Sequence, residues 1–448
     1  MNAMDTKHYD VVIIGAGVGG VSTAISAARH GAKTLLIEAG ACPGGMGTAG
    51  LVPFFVPFSY KPEPIVGELM REIHQRLIDL GGSNDASWAT VDAELFKYLC
   101  DEMMEEAGVT VKYLTTLREV SRTGRRIESI SVCDRSLKSS YSADNFIDAT
   151  GDAALAYMTG IPVKCGDKDR QMQAGSVCFV AAGIKPELLE DTPELHESHS
   201  DISYLTNEMR KWCKEWEASG ELKNSKEFEF HIAGASIDMK RGILRCNFGH
   251  FYGFDFTNGD HLSYILREGR KKVVEFVDCM KRNIPAMRDA IVLATPSLPD
   301  VRESRRIVGK YVLEDNAFWN GERHEDDIAI ADYMIDLHAL TLEESIRGGN
   351  AITEELLDTS INKFYGVPFS IMLTNEVDNL GVVGRCVSAS RGMLGALRVM
   401  PIVIAMGQAL GTAAALSNPV ANVNIPELQK ILLQEGAILD YAGTPRKC

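Results

Sequence analysis

Residues Tyr9 to Gly40 read YDVVIIGAGVGGVSTAISAARHGAKTLLIEAG, and this stretch decides the fold. Tyr9 to Ile14 is a short, continuously apolar and β-branched run, the composition of a parallel strand covered on both faces. Gly15, Gly17 and Gly20 follow in a GxGxxG spacing and lead into a helix-forming segment, Val21 to His30, which Gly31 ends. Lys33 to Ile37 then makes a second strand that closes on Glu38, completing a βαβ unit. In that setting each residue has a physical task. Gly15 permits the sharp turn, Gly17 lets a pyrophosphate approach the backbone, Gly20 lets helix and strand pack closely, and Glu38 accepts hydrogen bonds from ribose hydroxyls. The stretch predicts a dinucleotide site.

Cys42 to Gly50 (CPGGMGTAG) is a second glycine-rich stretch, either a flexible loop or a second backbone surface of the kind an extended flavin needs. Helical periodicity follows over Ile65 to Leu80 and Asp92 to Ala107, each ended by glycine. Val109 to Tyr113 reads as a strand, Arg118 to Val132 as a hairpin, and Tyr141 to Ala149 as a strand ending at Thr150, Gly151 and Asp152. From Cys165 to Phe364 charged helical segments alternate with aromatic stretches such as Phe248 to Phe256, without a dinucleotide signature. The first pattern returns at Asn379 to Val383, followed by Gly384, Arg385 and an apolar helix. The expected fold class is α/β: a doubly wound, Rossmann-like cofactor domain (1–164 and 365–425) interrupted by an inserted α+β substrate domain (165–364), with a C-terminal tail (426–448).

The chain has 448 residues, with 46 Lys and Arg against 61 Asp and Glu, a formal charge of −15. An acidic molecule repels phosphate backbones and anionic lipid, so nucleic acid and membrane partners are not expected. Val399 to Leu416 carries no charge, but Pro401, Gly407, Gln408 and Gly411 interrupt it, which suits a packed core helix better than a membrane span. Ten scattered cysteines, Cys448 included, lack the pairing of a metal or dithiol site; they are expected to be reduced, and no metal is expected. The polar amino terminus lacks a secretory pattern, and a cytoplasmic location is expected.

Six stretches together carry a family resemblance: GAGVGG with Glu38, Gly44 to Val52, Ile147 to Pro162, Val301 to Leu313, Ile335 to His338, and Asn379 to Ala415. The sequence resembles the FAD-dependent oxidoreductase family of the glutathione-reductase-type flavoproteins and is distantly similar to the fumarate reductase flavoproteins. The resemblance implies that FAD is the cofactor, its ADP half on Gly15, Gly17, Gly20 and Glu38. It places Gly45, Met46 and Thr48 beside the ribityl chain and flavin, and the backbone near Leu117, in the loop after the Val109 strand, facing the adenine. Thr150, Gly151 and Asp152 would close the pyrophosphate side, and Gly384 and Arg385 would approach the diphosphate and ribityl chain. Arg385 stands where the superfamily often has an acidic residue. A helix starting at Val399 and Met400 would offer its amides to the flavin pyrimidine, with Arg398 adding a full charge or binding an anionic substrate.

Substrate-side candidates are Arg302, in the dense charged run Arg302 to Arg306, and His338, spaced from Asp336 to share one face of a strand. For the charged run, a solvated helix face or structural salt bridges are equally good readings. His250 and Tyr252 either line a pocket or pack in a core. The expected partners are a small-molecule substrate, an anion among the candidates, and a further electron donor or acceptor. The expected reaction is hydride transfer between that molecule and flavin N5, at a carbon–carbon bond by the fumarate reductase analogy. Oxidation of a C–N or C–OH bond, monooxygenation, and a tRNA-modifying role are the alternatives.

Overall fold

The computed structural model describes residues 6–56, 65–86, 88–185, 188, 202–347 and 364–440. Cys448 and the rest of the expected tail's last eight residues, 441–448, lie outside the described residues. The main sheet takes its order from the opening stretch. Strand β1 (Lys7–Ile14) pairs in parallel with β2 (Thr34–Ile37), Val11 opposite Thr34, and a short pair, β3 (Phe54–Phe55) and β4 (Ala89–Thr90), stands apart. Outside β2 lies β5 (Thr110–Lys112), again parallel. On the other side of β1, strands β6 (Thr116–Thr123), β7 (Arg126–Asp134) and β8 (Leu137–Asp148) form a meander that enters the sheet through β8. The β8 strand pairs with β1 along one edge, Lys7 opposite Tyr141 through Ile14 opposite Asp148. Its other edge is shared: β7 covers its start, and β17 (Leu380–Val382), from far down the chain, covers its end in parallel register.

Helix α1 (Val18–Arg29) begins three residues earlier than the glycine spacing suggested, because Gly17 is extended at its N-cap and Gly20 already sits in the first turn. A Cβ on Gly20 would lie 1.9 Å from the Gly15 carbonyl oxygen, so only glycine lets this helix leave the strand so steeply. Helices α2 (Glu68–Asp79) and α3 (Ala93–Glu106, capped by the Asp92 carboxylate) cover the same face of the sheet. The short α4 (Ala154–Met158) follows β8.

The middle of the chain builds a second sheet. After β9 (Val163–Cys165), strands β10 (Gly175–Ala182), β11 (Phe228–Asp238), β12 (Ile243–Phe251) and β13 (Ile291–Ala294) pair antiparallel in the order β11-β12-β10-β13. Helices α5 (Ile202–Ser219) and α6 (Gly259–Asn283) bury an apolar stripe against it, including Trp212, Trp216, Val273 and Phe276. This core uses residues 172–301. The expected insert ran on to residue 364, but Leu313 to Ile335 pack in the same core as α1, around α7 (Asn316–Asn320) and the pair β15 (Asp327–Ala331) and β16 (Tyr365–Pro368). The charged run is likewise not helical: β14 (Arg305–Ile307) pairs with β9, and Arg302, Glu303, Ser304 and Arg306 are buried.

After α8 (Leu342–Ile346), the chain closes with α9 (Arg391–Leu397), α10 (Met400–Leu416) and α11 (Ile425–Gln434). The uncharged stretch is α10, packed along α1 through its small residues. A Cβ on Gly411 would meet the Thr23 carbonyl oxygen at 2.3 Å, and one on Gly407 the Gly19 oxygen at 2.6 Å. Among the described residues no single helix is long and apolar enough to cross a membrane. The expected tail begins as α11, capped by Asn424 and seated in the core through Leu428 and Leu432.

Candidate functional site

Two glycine-rich turns meet at the carboxyl end of β1. The Gly44 N–H donates to the Ala16 oxygen at 2.8 Å, and Gly17 and Gly44 form an isolated parallel bridge. Gly44 (φ 90°) and Gly45 (φ 52°) both need the left-handed region, and a Cβ on Gly45 would stand 2.8 Å from the Gly17 Cα. Glu38 joins the wall from β2: its two carboxylate oxygens accept the Ala16 and Gly40 N–H groups, each at 2.6 Å. Beyond it, Met46 offers its carbonyl to Val52, and Gly47 lies under Met400 at the start of α10, where a Cβ would be 3.0 Å from the methionine sulfur.

The opposite wall comes from β8 and β17. The buried Asp148 accepts from the Thr150 N–H and hydroxyl and, through its other oxygen, from the Ala156 N–H. Burial pushes its pKa upward despite these bonds. Gly384 adopts φ +103°, and a Cβ there would meet no atom within 4 Å; Gly17 on the facing wall would meet only the Ala149 oxygen, at 3.9 Å. Gly17 and Gly384 thus have open space where a side chain would stand, unlike Gly15, Gly20 and Gly45, where protein atoms occupy it. Arg385 ion-pairs with Asp152 at 2.8 Å, and Asp152 also accepts the Ser304 hydroxyl at 2.6 Å, which fixes the Thr150–Asp152 turn.

At the start of α10 the side chains become polar and charged. Val399 is the N-cap and Pro401 sits in the first turn, where its missing N–H leaves no orphan. The Arg398 guanidinium donates to both the carboxylate and the backbone oxygen of Asp336, each at 3.1 Å, and its Nε is buried without a partner. His338 stands beside Asp336 (Nε2 to Oδ1, 3.4 Å), and its Nδ1 lies 3.2 Å from Nε2 of His250, which is fully buried. The His338 N–H donates to the Gln173 side-chain oxygen at 2.9 Å, while the Gln173 amide nitrogen is buried and unpaired. Burial and the Arg302 charge pull the His338 pKa down to about 4, against the opposing pull of Asp336, so this ring is neutral at pH 7. Burial would raise the Asp336 carboxyl, but His338, Arg398 and Arg302 hold it below the usual carboxylate range.

The structure sorts the residues proposed from sequence. Asp336 and His338 lie in irregular chain after β15 rather than on a strand face, and Arg398, between α9 and α10, comes together with them. Arg302 does not reach out as a carboxylate fork: its Nη1 donates to the Ala174 oxygen at 2.8 Å and its Nη2 pairs with Asp300 at 3.4 Å. Its role in the cluster is electrostatic. Leu117 lies inside β6 opposite Val132, not in a loop, because β6 starts at Thr116. The backbone beside Glu38 is that of Leu114 and Thr115, whose N–H groups donate to the Gly40 and Glu38 oxygens. The Thr48 hydroxyl is spent on the Pro43 carbonyl. Sequence reasoning missed Asp148, Gln173 and Asp300, which belong to no spaced motif. Glu229, His231 and His250 bring one donor atom each within 4.8 Å of one another, but the Tyr252 hydroxyl already bonds both Glu229 and His250, so the group is a hydrogen-bonded one.

A family model described as FAD dependent oxidoreductase matches residues 10–432. Among curated proteins, a glutathione reductase of Yarrowia lipolytica is 54% identical over 46 residues, 10% of this chain and 10% of that protein. A digeranylgeranylglycerophospholipid reductase of Methanocaldococcus jannaschii is 35% identical over 126 residues, 26% of this chain and 31% of the relative. The chain therefore aligns with less than a third of the length of these two relatives. Among solved structures, the OxyS anhydrotetracycline hydroxylase from Streptomyces rimosus is 12% identical, with a TM-score of 0.45, covering 96% of this chain and 66% of that one. A geranylgeranyl bacteriochlorophyll reductase-like protein from Thermoplasma acidophilum is 13% identical, with a TM-score of 0.41, covering 96% and 83%.

Proposed function

The chain belongs to the FAD-dependent oxidoreductase family, and from that premise we propose that it transfers hydrogen to or from a carbon–carbon bond of a small organic anion. FAD, when bound, supplies the hydride acceptor or donor. The residues present fit that group: Gly17 and Gly384, each following a strand of the parallel sheet, leave their backbone open where a Cβ would otherwise stand. Gly15, Gly17, Gly20, Glu38 and the Gly45–Thr48 turn would hold it from one side, and Thr150–Asp152 with Gly384 and Arg385 from the other. The first-turn amides of α10, at Met400 and beyond, add a fixed positive end to the cradle.

The observation that carries the substrate reading is the Arg398–Asp336–His338 group beside that helix start. Asp336 fixes the Arg398 guanidinium from one side and leaves its buried Nε unpaired, a donor able to take one oxygen of a carboxylate. His338, neutral beside a charged pair, can release or take up one proton while the substrate loses or gains hydrogen. Burial, together with the charge of the buried Arg302, keeps the ring neutral between turnovers.

Anaerobic titration of the flavin-bound protein with small carboxylates and with their neutral amides tests this reading through flavin absorbance. Carboxylates are expected to change the oxidation state of the flavin, and Arg398→Ala to weaken their binding at least tenfold, about 1.4 kcal/mol. Equal response to the amides, or an unchanged affinity in Arg398→Ala, would overturn it.

A further inference from the structure

We infer that Glu229, Tyr252 and His250 form a proton relay between solvent and His338, an inference that rests on the reading of His338 as the proton-handling group. The Tyr252 hydroxyl is hydrogen-bonded to the Glu229 carboxyl group and also lies 3.1 Å from His250 Nδ1. The opposite nitrogen of the same ring, Nε2, lies 3.2 Å from His338 Nδ1, and His338 Nε2 faces Asp336 at 3.4 Å. The inner members are sealed, with His250 at 0% and Tyr252 at 3% exposure, whereas the Glu229 side chain keeps 17% of its surface in contact with solvent. The fold sets this spacing. Glu229 and His250 are directly opposed in the β11–β12 register, Tyr252 follows as β12 ends, and His338 reaches the cluster from the segment after β15.

The identity of the links distinguishes a relay from a structural network. A phenol and two imidazoles can each both donate and accept, so no link fixes the direction of the chain. Two complete arrangements satisfy every contact. In the first, a protonated Glu229 donates to Tyr252, Tyr252 to His250 Nδ1, His250 Nε2–H to His338 Nδ1, and His338 Nε2–H to the Asp336 carboxylate. In the second, each of the first three protons has moved one link along: the Glu229 O–H, the Tyr252 O–H and the His250 Nε2–H bonds break, and the Tyr252 O–H, His250 Nδ1–H and His338 Nδ1–H bonds form. The net change is one proton lost from Glu229 and one gained by His338, which becomes an imidazolium against the Asp336 carboxylate. Glu229 then recovers its proton from water.

The His250 ring is neutral in both arrangements, as its surroundings require. Burial, Arg302 from the segment before β14, the neighbouring His338 and Arg210 from α5 all disfavour a charged ring there, Asp336 opposes them, the Glu229 carboxylate lies 3.7 Å from Nδ1, and the His231 ring stacks on it at 3.9 Å. The Ser345 hydroxyl donates to Glu229 at 2.9 Å, holding the outer carboxylate in place.

The test is the nitrogen spectrum of the flavin-bound protein with 15N-labelled histidine, which reads the protonated nitrogen of each ring. Between about pH 3 and about pH 6, around the lowered value of His338, His250 and His338 of the native protein are expected to change tautomer or charge together. Glu229→Gln, whose amide can donate to Tyr252 at every pH, should lock both rings in the Nε2–H form. Tyr252→Phe should leave His338 unresponsive to a further Glu229→Gln change. If the His338 signals are the same in the native protein, Glu229→Gln and Tyr252→Phe across that range, the relay is excluded. The flavin absorbance of the same samples, titrated with carboxylates, reports the substrate reading separately, so either can fail while the other stands.

Discussion

The contact between α1 and α10 and the buried charges around Glu303 both join distant parts of the chain, by opposite means. In the first, side chains are removed: Gly407 and Gly411 bring one helix onto the backbone of the other, at Gly19 and Thr23. In the second, charges are added. Glu303 has no exposed surface, yet it accepts from Arg306 at 2.6 Å, Arg391 at 2.9 Å and the Gln173 N–H at 3.2 Å. The contrast teaches where specificity comes from in each half. The cofactor side depends on shape, so overfilling disturbs it, while the polar side depends on charge pairing and responds to protons.

Removing a partner on the polar side should have the largest effect. Glu303→Ala leaves two arginines without their buried counter-charge and is expected to lower unfolding free energy by about 4 kcal/mol in denaturant titration. Next is pH. His338 has its pKa lowered from 6.5 to about 4 by folding, so the native state binds fewer protons than the unfolded chain between those values. Its contribution to stability is therefore undiminished above pH 6.5 and declines as pH falls through the window, by about 1.4 kcal/mol per unit. His338→Gln should flatten that part of the stability profile, and an unchanged profile would refute the assignment. On the shape side, Gly411→Ala forces a Cβ toward the Thr23 oxygen and should cost about 2 kcal/mol with no pH dependence over the same range. The smallest effect, and the sharpest, is expected from Gly17→Ala. Its backbone is already compatible with alanine and no protein atom is close, so the apoprotein should unfold at an unchanged midpoint while the dissociation constant for FAD rises at least tenfold, about 1.4 kcal/mol. A loss of apoprotein stability comparable to that of Gly411→Ala would remove the distinction between glycines that serve the fold and those that serve the ligand.

The shape side was the legible one. Gly15, Gly17, Gly20 and Glu38 lie within one βαβ unit, and the turn chemistry of a glycine run is a local property of the sequence. Errors there were of phase: α1 starts at Val18 because helix propagation begins inside the motif, and the backbone beside Glu38 is that of Leu114 and Thr115 because β6 begins before Leu117. The polar side was legible as a list of residues but not as an arrangement. Arg302 to Arg306 reads equally as a wet helix face, since nothing local says that Glu303 will meet a residue 130 positions before it and another 88 after it. His250 and His338 have the same separation of 88, and only the opposition of β11 and β12 brings Glu229 to the same place.

The divided outer edge of β8 also bears on how the protein is made. A chain leaving the ribosome can pair β1, β2, β5, β6, β7 and β8 and close α1 to α3 over them, but the far end of β8 stays uncovered until Leu380 to Val382 arrive. Gly384 and the first turn of α10 are translated later still. The proposed flavin cradle is therefore completed only once the chain from Leu380 into α10 has been synthesised, so cofactor loading follows that segment, and truncation before α10 yields a chain with one wall of its binding site missing.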